Sequence, residues 1–262
     1  MITSDFHMHT TYCDGKNTAE EMIQSAIQKG LTAVGLSGHG YTSFDDSYCM
    51  SKEQSVQYAK EVTALKEKYR GQIRVLLGVE QDYFGGKPII DTDYVIGSVH
   101  YLHLGDGRYV PIDEHPDELI QAVKEGFSGD FYAAAQAYFQ CVGDVVRATG
   151  ADIIGHFDLI TKFCERGVDI DFGNARWRHA YTDAIDRLIP YGKPFEINTG
   201  AISRGYRKTP YPAMPMMRYI ASQGGMFIFS SDSHTKDNIA YQFDIWEPIC
   251  RAFNTRIVSS PR

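Results

Sequence analysis

Short apolar runs alternate with amphipathic helical stretches from one end of this 262-residue chain to the other, and that alternation limits the fold more than any other feature. ITSDFH (2–7), LTAVGLS (31–37), IRVLLGVE (73–80), DYVIGSVH (93–100), ADIIGH (151–156), PFEIN (194–198) and MFIFSSDSH (226–234) each read as a strand bounded by glycine, proline or charge. The segments between them read as helices. Thr18 with Glu21, and Ser51 with Gln54, fit capping boxes, and Gly30 falls where a left-handed helix end is expected. Tyr58, Val62, Leu65 and Tyr69 form one apolar stripe. Phe131, Ala135, Tyr138, Val142 and Val145 form another, ended by Gly150, and Trp177, Tyr181, Ala184 and Leu188 a third, ended by Gly192. There is no linker, internal repeat or low-complexity segment. The pattern predicts a parallel α/β fold in one domain over residues 1–262, and seven strands with helices between most of them suggest a barrel.

The polar residues sharpen that expectation. His7 and His9 close the first strand, His39 follows the second in LSGHG, and Glu80 ends the third. His100 ends the fourth, His156 the fifth, and Asp232 and His234 the last. In α/β barrels the active site sits at the carboxyl ends of the strands, so these side chains would converge there. His-x-His and Asp-x-His spacing puts both members of each pair on one strand face. Any one of these histidines alone would read as structural, and a lone His-x-His is a weak signal. Glu80 resists that reading, because a carboxylate after VLLGV is buried at a cost of several kcal/mol unless paired or metal-bound. Six of the nine histidines share the placement; His103, His115 and His179 do not, and read as structural. Imidazole and carboxylate without thiolate suit Zn, Mn or Fe. The ligands outnumber what a single ion needs, so two or three divalent metal ions are expected, and such ions can bring the pKa of water to about 7.

Composition narrows the partners. A net charge of −7 argues against a broad nucleic-acid footprint. An anionic substrate stays open, because bound cations set the local charge of a site. The five cysteines (13, 49, 141, 164 and 250) are scattered, odd in number and free of C-x-x-C, which suits a reducing compartment, the cytoplasm. Nothing at the start of the chain reads as a signal peptide, and no apolar run is long enough to cross a membrane.

D-x-H-x-H at residues 5–9, then SGHG, GVE, GSVH, GHFDL and SSDSH in this order, resemble the polymerase and histidinol phosphatase (PHP) superfamily over residues 5–234. The resemblance implies a distorted seven-stranded (β/α) barrel, irregular and TIM-like, with a trinuclear metal centre. It implies His7, His9, Glu80 and Asp232 for one ion, and Glu80, His100 and His156 for a second. His39 and His234 would hold the third, with Asp14 standing where many relatives have another ligand. The family's second motif is commonly T-D-H; Ser37-Gly38-His39 keeps the histidine and loses a carboxylate behind it. EINTGAISRGYRKTPYP (196–212) is similar to the stand-alone histidinol-phosphate phosphatases of the superfamily. In this stretch Arg204 is expected to grip phosphate, because a guanidinium fork matches its oxygens. Arg207 and Lys208 read equally as a solvated basic loop. Asn198 is a substrate-contact candidate that structural hydrogen bonding would also explain.

The implied activity is hydrolysis of a small phosphorylated substrate, L-histidinol phosphate, with Asp232 or His234 protonating the leaving group. One alternative keeps the centre and changes the substrate to another phosphate monoester or a small phosphodiester. Another is an amidohydrolase-type barrel, in which a modified lysine would bridge the metals where Glu80 stands here. A third is a non-catalytic module like the PHP domains attached to some polymerases. Residues 85–90 and 103–116 are candidate lids, and oligomeric state is not legible.

Overall fold

Each expected strand segment contributes to one curled parallel sheet in the computed structural model, which describes residues 1–261. The strands are β1 (Ser4–Asp5), β2 (Ala33–Leu36), β3 (Arg74–Asp82), β4 (Tyr94–Ser98), β5 (Tyr101–His103), β6 (Tyr109–Pro111), β7 (Ile153–Ile154), β8 (Phe195–Asn198), β9 (Met226–Ser230) and β10 (Arg256–Ile257). All but β5 and β6 lie side by side in chain order, giving eight parallel strands where seven were expected. The extra one, β10, is two residues long and pairs with the start of β9. It sits outside any apolar run, which is why the sequence pattern does not suggest it. A parallel bridge between Met8 and Ser233 joins the chain after β1 to the chain after β9.

The helices are α1 (Ala19–Gln28), α2 (Lys52–Lys68), α3 (Pro116–Phe127), α4 (Phe131–Val142), α5 (Val145–Thr149), α6 (Ala175–Leu188), α7 (Gly200–Ser203), α8 (Met214–Ser222) and α9 (Phe243–Arg251). Both expected capping boxes form: Thr18 and Ser51 accept from the N–H groups of Glu21 and Gln54, whose side chains reach back. The stripe expected from Phe131 to Val145 is broken in two at Gly143. A Cβ there would lie 3.1 Å from Ala184 Cα, so the glycine lets α4 and α6 approach closely.

The face of each strand explains where the site lies. Phe195, Ile197, Phe227 and Phe229 point outward and join Tyr138, Trp177 and Met217 of the helices in the main core. The alternate residues line the concave face, since side chains two apart share a strand face. Near the strand starts that face is apolar, with Leu76, Tyr94, Ile96 and Ile228 in one cluster with Phe6 and Ile153. Tyr94 crosses this layer and donates to Phe6 O at 2.5 Å. Gly35 and Gly78 make room for its ring; a Cβ at either position would collide with it. Toward the strand ends the same face turns polar through Glu80, Ser98, His100, Glu196, Asn198 and Asp232, all buried.

The last strand is shorter than 226–234 because the chain turns out of it. Asp232 has φ 49°, a left-handed conformation that aspartate tolerates better than most residues. The first is shorter than 2–7 because Met8 N leaves the ladder for Ser37 Oγ at 3.2 Å and His7 N turns back to Asp5 at 3.4 Å. The Asp5 carboxylate also accepts from Ser231 N at 3.1 Å and Ala240 N at 2.9 Å, tying the chain start to the last strand.

Candidate metal centre

Glu80, 1 % exposed, is the hub. Its Oε1 faces His156 Nε2 at 2.7 Å and His100 Nε2 at 3.3 Å, and accepts from Ser98 Oγ at 2.6 Å. Its Oε2 faces His7 Nε2 and His39 Nδ1, each at 3.1 Å, and His9 Nε2 at 3.5 Å. Five imidazoles from four separate segments thus surround one carboxylate. Burial opposes its ionisation, yet His7, His39 and His100 hold Glu80 well below the usual carboxylate range.

Two further carboxylates flank the hub. Asp232 Oδ1 lies 3.3 Å from His9 Nε2, 3.6 Å from His234 Nδ1 and 3.7 Å from His7 Nε2. Asp14 approaches His234 Nε2 at 3.0 Å, His9 Nδ1 at 3.6 Å and His39 Nε2 at 3.7 Å. Three nests follow, each with donor atoms close enough to share an ion: His9, Asp14, His39 and His234; His7, His9 and Asp232; and His39, Glu80 and His100. His156 adds its Nε2 to the Glu80 side. All nine ligand candidates from the sequence therefore converge.

The donor set fits divalent ions. Nε2 of His7 and of His9 are buried without a hydrogen-bond partner, although both point toward carboxylates. That is the state of imidazoles whose lone pairs are reserved for a cation. The other nitrogen of His7 is fixed. Glu196 Oε1 lies 2.7 Å from His7 Nδ1, and His7, opposing the effect of burial, keeps Glu196 below its ordinary range. An ionised carboxylate only accepts, so Nδ1 donates to Glu196 and Nε2 is the nitrogen that faces the carboxylates of the centre, where a cation would take the place of a proton. Asp82 treats His100 similarly, at 3.2 Å from its Nδ1. Burial, added to the charge of His9, pushes His39 down to about 3, so it stands neutral and able to ligate.

Position 38 is bare for a local reason. A side chain there would meet Cys13 Sγ at 3.1 Å and Met50 Cε at 3.5 Å. The Cys13 thiol, 3.7 Å from His9 Nδ1, occupies that space.

Arg204 stands at the wall of the cavity over the centre, a space of about 390 Å³. Its Nη1 lies 2.8 Å from Asp232 O and 3.0 Å from His234 Nδ1, and its Nη2 donates to Asp232 Oδ2 at 3.0 Å. Gly200 permits this pairing, since a Cβ there would lie 2.8 Å from Asp232 and 3.0 Å from the guanidinium. The other candidates from the same stretch fall elsewhere. Asn198 is fully buried; it donates to Glu196 Oε2 at 3.0 Å and accepts from Gly200 N at 2.9 Å, so its amide is spent behind the site. Arg207 is neither solvated nor in the cavity. It is 5 % exposed, donates to Thr161 Oγ1 at 2.8 Å and lies over the Tyr211 ring at 4.4 Å. Lys208 is exposed.

Of the two lid candidates, residues 103–116 run from the last residue of β5 through β6, and Pro111, Asp113, Glu114 and His115 line the cavity. Residues 85–90 do not line it. His115 thus reaches the rim that the sequence reading denied it, while His103 stacks on Tyr109 at 4.6 Å away from the centre. Glu196 and Asp82 were missed. Both sit two residues from a singled-out position, Asn198 and Glu80, on the same strand face, and that spacing is the signal that could have found them.

The model of the PHP domain matches residues 5–200. A relative from Deinococcus radiodurans, named a probable histidinol-phosphatase, is 29% identical over 253 residues, covering 91% of this chain and 89% of its own. One from Bacillus subtilis, named histidinol-phosphatase, is 25% identical over 95% of this chain and 100% of its own. The crystal structure of histidinol phosphate phosphatase from Lactococcus lactis, complexed with Zn, L-histidinol and phosphate, is similar in fold. It has a TM-score of 0.73 at 19% identity, over 98% of this chain and 95% of that one. With its strand-end histidines gathered on Glu80 and its match running from Asp5 to Gly200, the chain belongs to the PHP domain family.

Proposed function

We propose that this protein hydrolyses L-histidinol phosphate to L-histidinol and phosphate at a multinuclear metal centre. The observation that carries the reading is the convergence of six imidazoles and three carboxylates beneath a cavity that also holds Arg204. The curated relatives that cover nearly the whole chain carry histidinol-phosphatase names, which supports the choice of substrate. His7, His9, Asp14, His39, Glu80, His100, His156, Asp232 and His234 would hold two or three ions, and zinc is the ion present in the Lactococcus lactis structure. Bound there, divalent ions neutralise phosphate charge and make water acidic enough to act as a nucleophile near neutral pH.

The chain's own groups do the rest. Glu196 and Asp82 hold the His7 and His100 rings so that one nitrogen of each faces the centre. Arg204, pinned by Asp232 and His234, presents its remaining N–H groups to the phosphoryl oxygens. Of the two proton-donor candidates, Asp232 is the poorer. Burial opposes its ionisation, but Arg204 and His7 hold it well below the carboxylate range, so it carries no proton at neutral pH. His234, one fifth exposed at the cavity wall, accepts from Arg204 at Nδ1, so its proton sits on Nε2, and it would donate to the departing alkoxide only when that nitrogen is not holding an ion.

We also read the curled sheet as a distorted seven-stranded barrel with β10 as an appendage, supported by the Met8–Ser233 bridge. On this reading residues 1–262 form one phosphatase domain. Free cysteines at all five positions support a cytoplasmic setting. Among the described residues no helix is long and apolar enough to cross a membrane.

Glu80→Ala is the test of the centre. It should abolish bound metal and phosphatase activity together; a variant that keeps either one contradicts the reading.

A further inference from the structure

The cavity has a lining carboxylate that the phosphate chemistry does not use. Directly after His100 the chain runs into β5, which pairs with β6, and Ile112 N donates back to His100 O at 2.9 Å. Ile112 is fully buried on one side of this segment, and the next side chain, Asp113, lines the cavity. Its side chain is one quarter exposed. Lys162, from the segment after β7, accounts for only part of it. The ammonium donates to Asp113 O at 2.5 Å and reaches Oδ2 at 3.2 Å. Oδ1 has no protein partner among the described residues. Burial disfavours the charge, yet Lys162, His100 and His156 together hold Asp113 below its ordinary range, so it is a carboxylate beside the centre. It is not one of the nine ligand candidates, and no step above uses it.

We infer that Asp113 is a specificity-determining residue that receives the ammonium group of the substrate, which selects phosphate esters of amino alcohols over plain alkyl or aryl phosphates. This rests on the phosphatase reading and deepens it. In L-histidinol phosphate the ammonium sits on the carbon next to the one bearing the ester oxygen. A phosphate held by Arg204 and the ion site therefore places that cation within the same cavity, where Asp113 offers its free oxygen. Glu114, the neighbouring cavity residue, adds negative charge to the same wall. Arg204 and Asp113 line the same cavity, and a cationic and an anionic group together match a zwitterionic ester better than a dianionic one. Removing one partner of a charge-assisted hydrogen bond leaves a poorly satisfied charge, so the penalty falls on the cationic substrate alone.

The test compares wild type and Asp113→Asn, both loaded with metal, on L-histidinol phosphate and on its analogue lacking the amino group, 3-(imidazol-4-yl)propyl phosphate. The expected result is a loss of tenfold or more in kcat/KM for the amino ester, carried mainly by KM. The deaminated ester should change less than twofold, and bound metal should not change. If both esters fall equally, Asp113 serves only to tether the hairpin through Lys162, and the inference is overturned while the phosphatase reading stands. If neither falls, the inference is likewise overturned. If wild type hydrolyses neither ester, the inference falls together with the phosphatase reading.

Discussion

Replacing Glu196 with glutamine probes how the centre is tuned from behind. The carboxylate is fully buried and already shared: Oε1 meets His7 Nδ1 at 2.7 Å, while Oε2 accepts from His156 N at 2.8 Å and Asn198 Nδ2 at 3.0 Å. Glutamine keeps the volume but owns one acceptor instead of two. With its oxygen toward His7, its NH₂ confronts the two donors of His156 and Asn198. With its NH₂ toward His7, Nδ1 must accept, the ring proton moves to Nε2, and His7 can no longer ligate. Either orientation loses something. Unsatisfied buried donors cost about 1–3 kcal/mol, and loss of such an outer partner weakens metal affinity about 10- to 100-fold. Competition against a graded chelator, read by metal content, measures the second quantity. Circular dichroism and a melting curve on the same samples check that the variant is folded. A folded Glu196→Gln protein that holds its ions as tightly as wild type would refute the reasoning about His7.

Two other substitutions follow from the geometry. Arg204→Ala should lower kcat/KM by about 10- to 100-fold, the scale of one charge-assisted contact, and Arg204→Lys should recover little because the fork is lost; near-normal steady-state kinetics in either variant would remove Arg204 from the site. Gly78→Ala should destabilise the fold by about 1–3 kcal/mol, the usual cost of overpacking, since the new methyl collides with Tyr94; an unchanged urea midpoint would show that the Tyr94 layer yields without cost.

The ligand candidates were legible because the strands place them. A polar residue at the carboxyl end of an apolar run has a defined direction once the strands are parallel, so His7, Glu80, His100, His156 and Asp232 could be gathered from sequence. What supports them was harder to see. Glu196 is 189 positions from His7 and reads as an unremarkable residue inside PFEIN until the sheet brings β8 beside the chain start. Asp113 depends on a hairpin whose strands are three residues each, too short to leave an alternating pattern. In the basic stretch at 204–208, charge alone could not separate Arg204, aimed at the cavity, from Arg207, buried over Tyr211. The first strand was over-extended because His7 N and Met8 N donate to the side chains of Asp5 and Ser37 and not to a ladder, partners invisible without the folded sheet.

The most direct measurement is kcat/KM for phosphate release by the metal-loaded protein from L-histidinol phosphate, beside an aryl phosphate and a nucleoside monophosphate. The account predicts a preference for L-histidinol phosphate of several powers of ten. Comparable low rates on all three would contradict it.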